Sequence, residues 1–310
     1  MDILIISQGG TGSTLLQRLL TLAIYIEKCA VINTHDLVNK FIWLDAQGNI
    51  KRDGKKKYGQ SLIGIEEVLQ KANRNISIVS RLSKDHVDHR NDDKKIFKAF
   101  VKFLQERFSN HIICTRENVF ELSMSLAIKT KSNVYNVFST EDRKAVQKID
   151  HVDERQMLSM CDNYIRYLEW TKQYFPKAKV VSYERLITDT DTVISDLTGF
   201  NDTLIKYFGL STSKLLRLEA SNTVPTEIKQ KKALLKYKNL CSNLIEQGIL
   251  RETPTKNSSL TEKKKRIKNF DRCLRIFKQY TRNIDIIDNE KSTYDHWNKI
   301  SVDSSYRSSI

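Results

Sequence analysis

The sequence predicts an α/β fold: a mainly parallel sheet flanked by helices, followed by a C-terminal helical extension. Three observations predict it. The short apolar run DILIIS at residues 2–7 stops at a glycine-rich loop, residues 8–14, and then enters an almost wholly apolar stretch, residues 15–27. That is the pattern of a buried strand, a loop and a buried helix. Further apolar runs at 76–80, 111–115 and 178–182 alternate with helical patterns. Such alternation implies parallel strands joined by right-handed crossovers. After Pro225 only helical patterns remain.

The remaining elements follow in order. Residues 41–50 read as a small hairpin turning at Gln47-Gly48, and 51–59 as a charged loop. Residues 65–72 and 93–108 read as helices. Residues 118–129 read as a helix with Asn118 as its N-cap. Residues 153–175 form a long helical pattern stopped by Pro176. Residues 191–208 read as one helix closed by Gly209, and 226–247 as one closed by Gly248. Residues 260–282 read as a single basic helix, since 251–285 carries eleven Lys/Arg against four Asp/Glu. The expected organisation is an α/β domain over 1–215, a helical extension packed on it over 216–300 and a flexible tail over 301–310.

Composition narrows the class. The chain has 310 residues, three prolines and a net charge of +15. Few prolines with many Lys, Asn and Ile suit an AT-rich coding sequence of bacterial, organellar or phage type. The charge suits a solvated lysine-rich surface, or a face that attracts a nucleotide, nucleic acid, acidic glycan or membrane surface. Five widely spaced cysteines without a CxxC pair argue against a zinc site or a disulfide framework, and fit a reducing compartment. No signal peptide or transmembrane segment is legible. A cytoplasmic protein is the expectation.

The loop carries the chemistry. Gly9, Gly10, Thr11, Gly12, Ser13 and Thr14 lie between a strand and a helix. A phosphate needs converging backbone N–H groups, and glycines let it approach. The helix N-terminus adds its positive dipole end, and Ser13 and Thr14 add hydroxyls. The loop is not a Walker A sequence, because Gly12 is followed by Ser13 where that motif has lysine.

At this point the sequence resembles the P-loop sulfotransferases that use 3′-phosphoadenosine 5′-phosphosulfate (PAPS). GTGSTLLQRLL is similar to their 5′-phosphosulfate loop. HIICTRENVFELSMSLA is similar to their 3′-phosphate segment, with Arg116 and Ser125 at the matching positions and a spacing of nine like that of bacterial and viral-type members. VVSYERLITD is similar to the strand and "YE-L" segment that follows. The resemblance spans residues 2–209. It implies a P-loop NTPase-like sulfotransferase fold and PAPS as donor. The loop would hold the phosphosulfate end, and Arg116 and Ser125 the 3′-phosphate.

The likeness has gaps. The family usually carries Lys or Arg at the position of Gly10. Arg81, in the segment after the 76–80 run, is the candidate replacement for that cation. His86 and His89 follow it as candidate general bases, as an imidazole titrates near neutral pH. His35 is another candidate. Each of these histidines also suits an ordinary surface. Tyr183 and Glu184 read as supports of the fold, with Glu184 a candidate partner of Arg116. The family's Gly-rich basic segment near the C-terminus has no clear counterpart. The run Lys263-Lys264-Lys265-Arg266 reads either as a solvated face or as a binder of the 3′-phosphate or an acidic acceptor.

The leading expectation is transfer of a sulfuryl group to a hydroxyl or amine on a small molecule or glycan, without a metal. The acceptor would sit among variable loops such as 35–60 and 130–150. The alternatives are a non-catalytic nucleotide-binding protein on the same fold, a nucleotide or nucleoside kinase-like enzyme needing Mg²⁺, and a nucleic-acid-binding module. The missing loop cation favours the first of these. The absent Walker A lysine disfavours the second. The lack of an aromatic-rich basic stretch disfavours the third.

Overall fold

β1 (Asp2–Ser7) is the central strand of a five-stranded parallel sheet in the computed structural model of the chain. The structure describes residues 1–28, 31–34, 42–44, 50–52, 77–84, 101–102, 104–135, 137–221, 225–250, 252 and 260–282. The other strands of the sheet are β2 (Val31–Thr34), β5 (Ser77–Ser83), β6 (Asn110–Thr115) and β7 (Lys179–Ser182), in the order β2-β5-β1-β6-β7. β3 (Ile42–Leu44) and β4 (Ile50–Arg52) form a separate antiparallel pair, Ile42 opposite Arg52. The α/β class and the parallel sheet expected from the sequence are both present.

The sheet follows from its apolar strands. Ile3, Leu4, Ile5 and Ile6 are fully buried, as a central strand covered on both faces requires. α1 (Ser13–Lys28) packs Leu16, Leu19, Leu20 and Ala23 against Ile3, Ile5 and Val79. Polar groups set its position on the sheet. Gln17 Nε2 donates to Asn33 Oδ1 at 2.7 Å, and Asn33 Nδ2 donates to Thr21 Oγ1 at 3.1 Å.

The chain divides into two compact units. The first comprises residues 1–115 and 177–253. It holds the five-stranded sheet, α1, α5 (Tyr183–Thr188), α6 (Thr190–Thr198), α7 (Thr203–Phe208), α8 (Thr212–Ser221) and α9 (Ile228–Glu246). The second comprises residues 116–176 and 254–310. It holds α2 (Val119–Ser132), α3 (Thr140–Gln147), α4 (Glu154–Tyr174), α10 (Leu260–Arg266) and α11 (Phe270–Thr281). The boundary expected near residue 215 falls inside α8. In the second unit Phe120 of α2 makes edge-on contacts with Phe270 and Phe277 of α11, at 5.5 and 5.3 Å between centroids.

Several elements differ from the sequence reading. β5 continues through Arg81 to Ser83, because it pairs with β1 as far as Ser7. Arg81 is therefore a strand residue and not part of a following loop. The helix expected over 191–208 is two helices, α6 and α7, separated at Gly199 with φ +75°. The helix expected over 260–282 is also two, α10 and α11. Asn269 breaks it: Nδ2 donates to the Val152 carbonyl at 2.7 Å and to Glu154 Oε1 at 3.1 Å, while Oδ1 accepts from the Val152 N–H at 3.1 Å. The Lys268 N–H donates to the Asp150 carbonyl at 2.7 Å, so a bond to a distant segment replaces a helical one. α3, which the sequence reading did not include, opens on a capping box between Ser139 and Asp142. The loop expected at 51–59 begins inside β4, which pairs with β3 through Arg52; its remainder, the expected helix at 65–72, the turn at 47–48 and the tail at 301–310 lie outside the described residues.

A buried charge ties α1 to α8 and α9. Arg18 Nη2 pairs with Glu219 Oε1 at 3.0 Å and donates to Cys241 Sγ at 3.1 Å, and its guanidinium lies 4.9 Å from the centre of the Tyr237 ring. Removing the carboxylate leaves a buried cation without its counter-charge, which is costly. Glu219→Ala is expected to lower stability by about 2–3 kcal/mol, read from the urea unfolding midpoint. An unchanged midpoint would contradict this role.

Candidate functional site

The loop between β1 and α1 stands where the strand order reverses. From β1 the chain first builds β2 and β5 on one side of the sheet and later crosses to β6 on the other. In open parallel sheets the crevice beyond the carboxyl ends of the strands at such a point is the usual ligand site.

The loop's backbone is shaped by glycine. Gly10 has φ +87° and Gly12 φ +82°, a region that only glycine adopts at little cost. Thr11 closes the turn: its N–H and its Oγ1 both donate to the Gln8 carbonyl, at 3.3 and 2.8 Å. The Gly12 carbonyl accepts the first helical bond of α1, from the Leu16 N–H at 3.1 Å. The N–H groups of Ser13, Thr14 and Leu15 thus precede the helix's own bonding, as at any helix start. Gly9 and Gly10 are exposed, whereas Thr11 and Ser13 are buried. Gln8 is also buried, and its Oε1 has no hydrogen-bond partner among the described residues.

Tyr183 completes this cradle. It is the first residue of α5, which Ser182 caps by accepting from the Arg185 N–H at 3.1 Å. A Cβ added at Gly12 would run into Cδ2 of the Tyr183 ring, with Cγ only 3.3 Å away. Gly12 is therefore required twice, by its φ and by the ring beside it. The sequence reading placed Tyr183 in the fold's support, and its specific contact is with the loop.

Arg81 reaches the loop from β5. Its Nη1 donates to Thr14 Oγ1 at 2.8 Å. Burial pushes the Cys114 thiol up to about 12, against an opposing pull from Arg81. Cys114 is thus a neutral packing residue beside the arginine.

The second unit holds a separate group. Arg116 is the residue that follows β6. Its N–H donates to the Tyr164 hydroxyl at 2.6 Å, and that hydroxyl donates back to the Arg116 carbonyl at 3.0 Å. Asn118 caps α2 as expected, accepting from the Glu121 N–H at 2.9 Å. Glu121 then pairs with Arg116, Oε2 to Nη2 at 3.2 Å, and with Lys263, Oε1 to Nζ at 3.3 Å. Lys263 also donates to Ser125 Oγ at 2.7 Å, and Ser125 donates to the Glu121 carbonyl at 2.7 Å. Arg116 and Ser125 are so brought into one polar group. Lys263 is the buried member of the basic run, while Lys264 and Lys265 are exposed. Glu121 is a carboxylate partner of Arg116 that the sequence reading did not single out, although it lies one helical turn before Ser125. Burial lowers the pKa of Lys129, and the charge of Arg116 lowers it further.

His86, His89 and His35 lie outside the described residues. Among the described residues no group of three or more His, Cys, Asp or Glu is placed to hold a metal ion. No described helix is long and apolar enough to cross a membrane.

No family model matches the sequence, and no curated protein matches it. Among solved structures the chain is similar to one described as retinol dehydratase in a complex with retinol and PAP. The match has 13% identity, covers 93% of this chain and 83% of that one, and has a TM-score of 0.38. At that level it assigns neither ligand nor reaction to this chain.

Gly12→Ala is expected to destabilise the protein by roughly 2 kcal/mol or more, from the positive φ and the ring contact together. In a Tyr183→Ala background the same change should cost about 1 kcal/mol less, since the ring contact is then gone. Equal costs in the two backgrounds, measured by chemical denaturation, would mean that the ring does not constrain the loop.

Proposed function

We propose that the chain transfers a sulfuryl group from PAPS to a hydroxyl or amine acceptor. The observation that carries this reading is the bond from Arg81 to Thr14. It brings a fixed cation to the end of a glycine loop whose own position for a cation is Gly10. A planar guanidinium beside the loop is suited to the charge that gathers on a departing phosphate.

The roles follow from the chemistry. The N–H groups of the loop and of the first turn of α1 bind the phosphosulfate end. Arg116 and Ser125 bind the 3′-phosphate. The acceptor oxygen or nitrogen attacks sulfur in line, and the sulfur–oxygen bond to the 5′-phosphate breaks. The electron pair leaves on the phosphate oxygen, where Arg81 stabilises it. The acceptor's proton passes to His86 or His89. The products are the sulfated acceptor and 3′-phosphoadenosine 5′-phosphate. The acceptor is a small molecule or a glycan.

A second reading rests on Gly10. A protein of this kind without a loop cation binds the nucleotide and transfers nothing. The kinase-like alternative fits less well, because Ser13 stands where a Walker A lysine would be.

Calorimetric titration separates the two readings that bind the bisphosphate from the kinase-like one. Wild-type protein is expected to bind 3′-phosphoadenosine 5′-phosphate in the micromolar range, and Arg116→Ala to bind it at least tenfold more weakly, as loss of a charged bidentate donor implies. ATP with Mg²⁺ should bind far less. Binding of ATP in place of the bisphosphate would reject the sulfotransferase reading and favour the kinase-like one.

A further inference from the structure

The buried carboxylate of Glu121 is the unexpected feature of the group around Arg116. It is one acid shared by two cations. The side chains of Arg116, Glu121 and Lys263 are 11%, 14% and 3% exposed. Lysine is almost never so buried unless paired. Glu121 Oε2 meets Arg116 at 3.2 Å and Oε1 meets Lys263 at 3.3 Å, both longer than the ~2.7–2.9 Å of a well-made charged hydrogen bond. Burial lowers the pKa of Lys129 nearby, and the charge of Arg116 lowers it further.

A phosphate group would serve these partners better. It carries up to two charges on three outer oxygens. One edge fits the fork of a guanidinium, and the remaining oxygen is open to an ammonium and a hydroxyl. Lys263 already donates to Ser125 Oγ, so one oxyanion beside them meets both. A carboxylate and a phosphate cannot hold the same two cations, because like charges so placed repel strongly.

We propose that Glu121 is an internal counter-anion that holds Arg116 and Lys263 in readiness, and that an incoming phosphate displaces it and takes both cations. The inference rests on the reading that Arg116 and Ser125 receive the donor's 3′-phosphate. It adds Lys263 as a third binding residue and gives Glu121 a competing role. It also accounts for a chain whose C-terminal part lacks a glycine-rich basic segment: α10 supplies a single inward-turned lysine. On binding, the Glu121 side chain turns away or takes up a proton.

The test titrates 3′-phosphoadenosine 5′-phosphate into wild type, Glu121→Gln, Glu121→Asp and Lys263→Met. In parallel, the rise in unfolding temperature with inorganic phosphate is measured for each. Glu121→Gln keeps the shape and removes the charge, and it should bind the bisphosphate about tenfold more tightly than wild type. Glu121→Asp keeps the charge and should bind no more tightly than wild type. Lys263→Met should bind about tenfold more weakly. Weaker binding by Glu121→Gln would make Glu121 a positioning residue for Arg116 and overturn the proposal, as would unchanged binding by Lys263→Met. If no variant binds the bisphosphate but phosphate stabilises Glu121→Gln more than wild type, the anion site stands and the donor reading fails. If neither ligand acts on any variant, the proposal is overturned.

Discussion

The candidate site depends on one backbone constraint, the turn at Gly10 and Gly12. Both residues have positive φ, and Gly12 has no space for a side chain because the Tyr183 ring lies against it. The turn takes the chain out of the central strand and starts α1 within a few residues. It leaves the first N–H groups of the helix at the carboxyl end of β1, where the strand order reverses. A larger residue at position 12 would push away either the loop or α5. The sheet, in turn, depends on β1 being apolar and covered on both faces.

Charge is arranged differently in the two units. In the first, Arg81 extends from a paired strand to Thr14, so a rigid element places its guanidinium. In the second, two cations share Glu121, and a hydrogen-bonded tyrosine fixes the backbone of Arg116. Buried ion pairs are poor sources of stability, since desolvation consumes much of their attraction. A buried group of this kind suits binding better than folding. The Arg18 and Glu219 pair is a contrast, since it packs among helix residues of the core beside Tyr237 and Cys241.

Local features were legible in the sequence, and long-range ones were not. The bounds of β1 follow from its apolar run, and α4 is capped by Asp153 and ends before Pro176 because both residues act locally. Asn118 as a cap is similarly local. The end of β5 was misplaced because strand length is set by the partner β1, not by the run of apolar residues alone. The break at Asn269 was not visible, since it depends on bonds to residues 152 and 154. Arg81 was picked out for its charge, but its partner Thr14 lies 67 residues away. The pairing of Lys263 with Glu121 spans 142 residues and leaves no periodicity to read. The capping box of α3 was readable and was missed, because its short helix is polar and gives little apolar pattern.

In the proposed reaction Arg81 provides the cation absent from the loop at Gly10. The most direct measurement is the rate at which PAPS is converted to 3′-phosphoadenosine 5′-phosphate in the presence of a panel of hydroxyl and amine acceptors, for wild type and Arg81→Met. Wild type is expected to turn over with at least one acceptor, and Arg81→Met to lose about 100-fold or more beyond any loss of donor affinity. Equal turnover by the two proteins would contradict it.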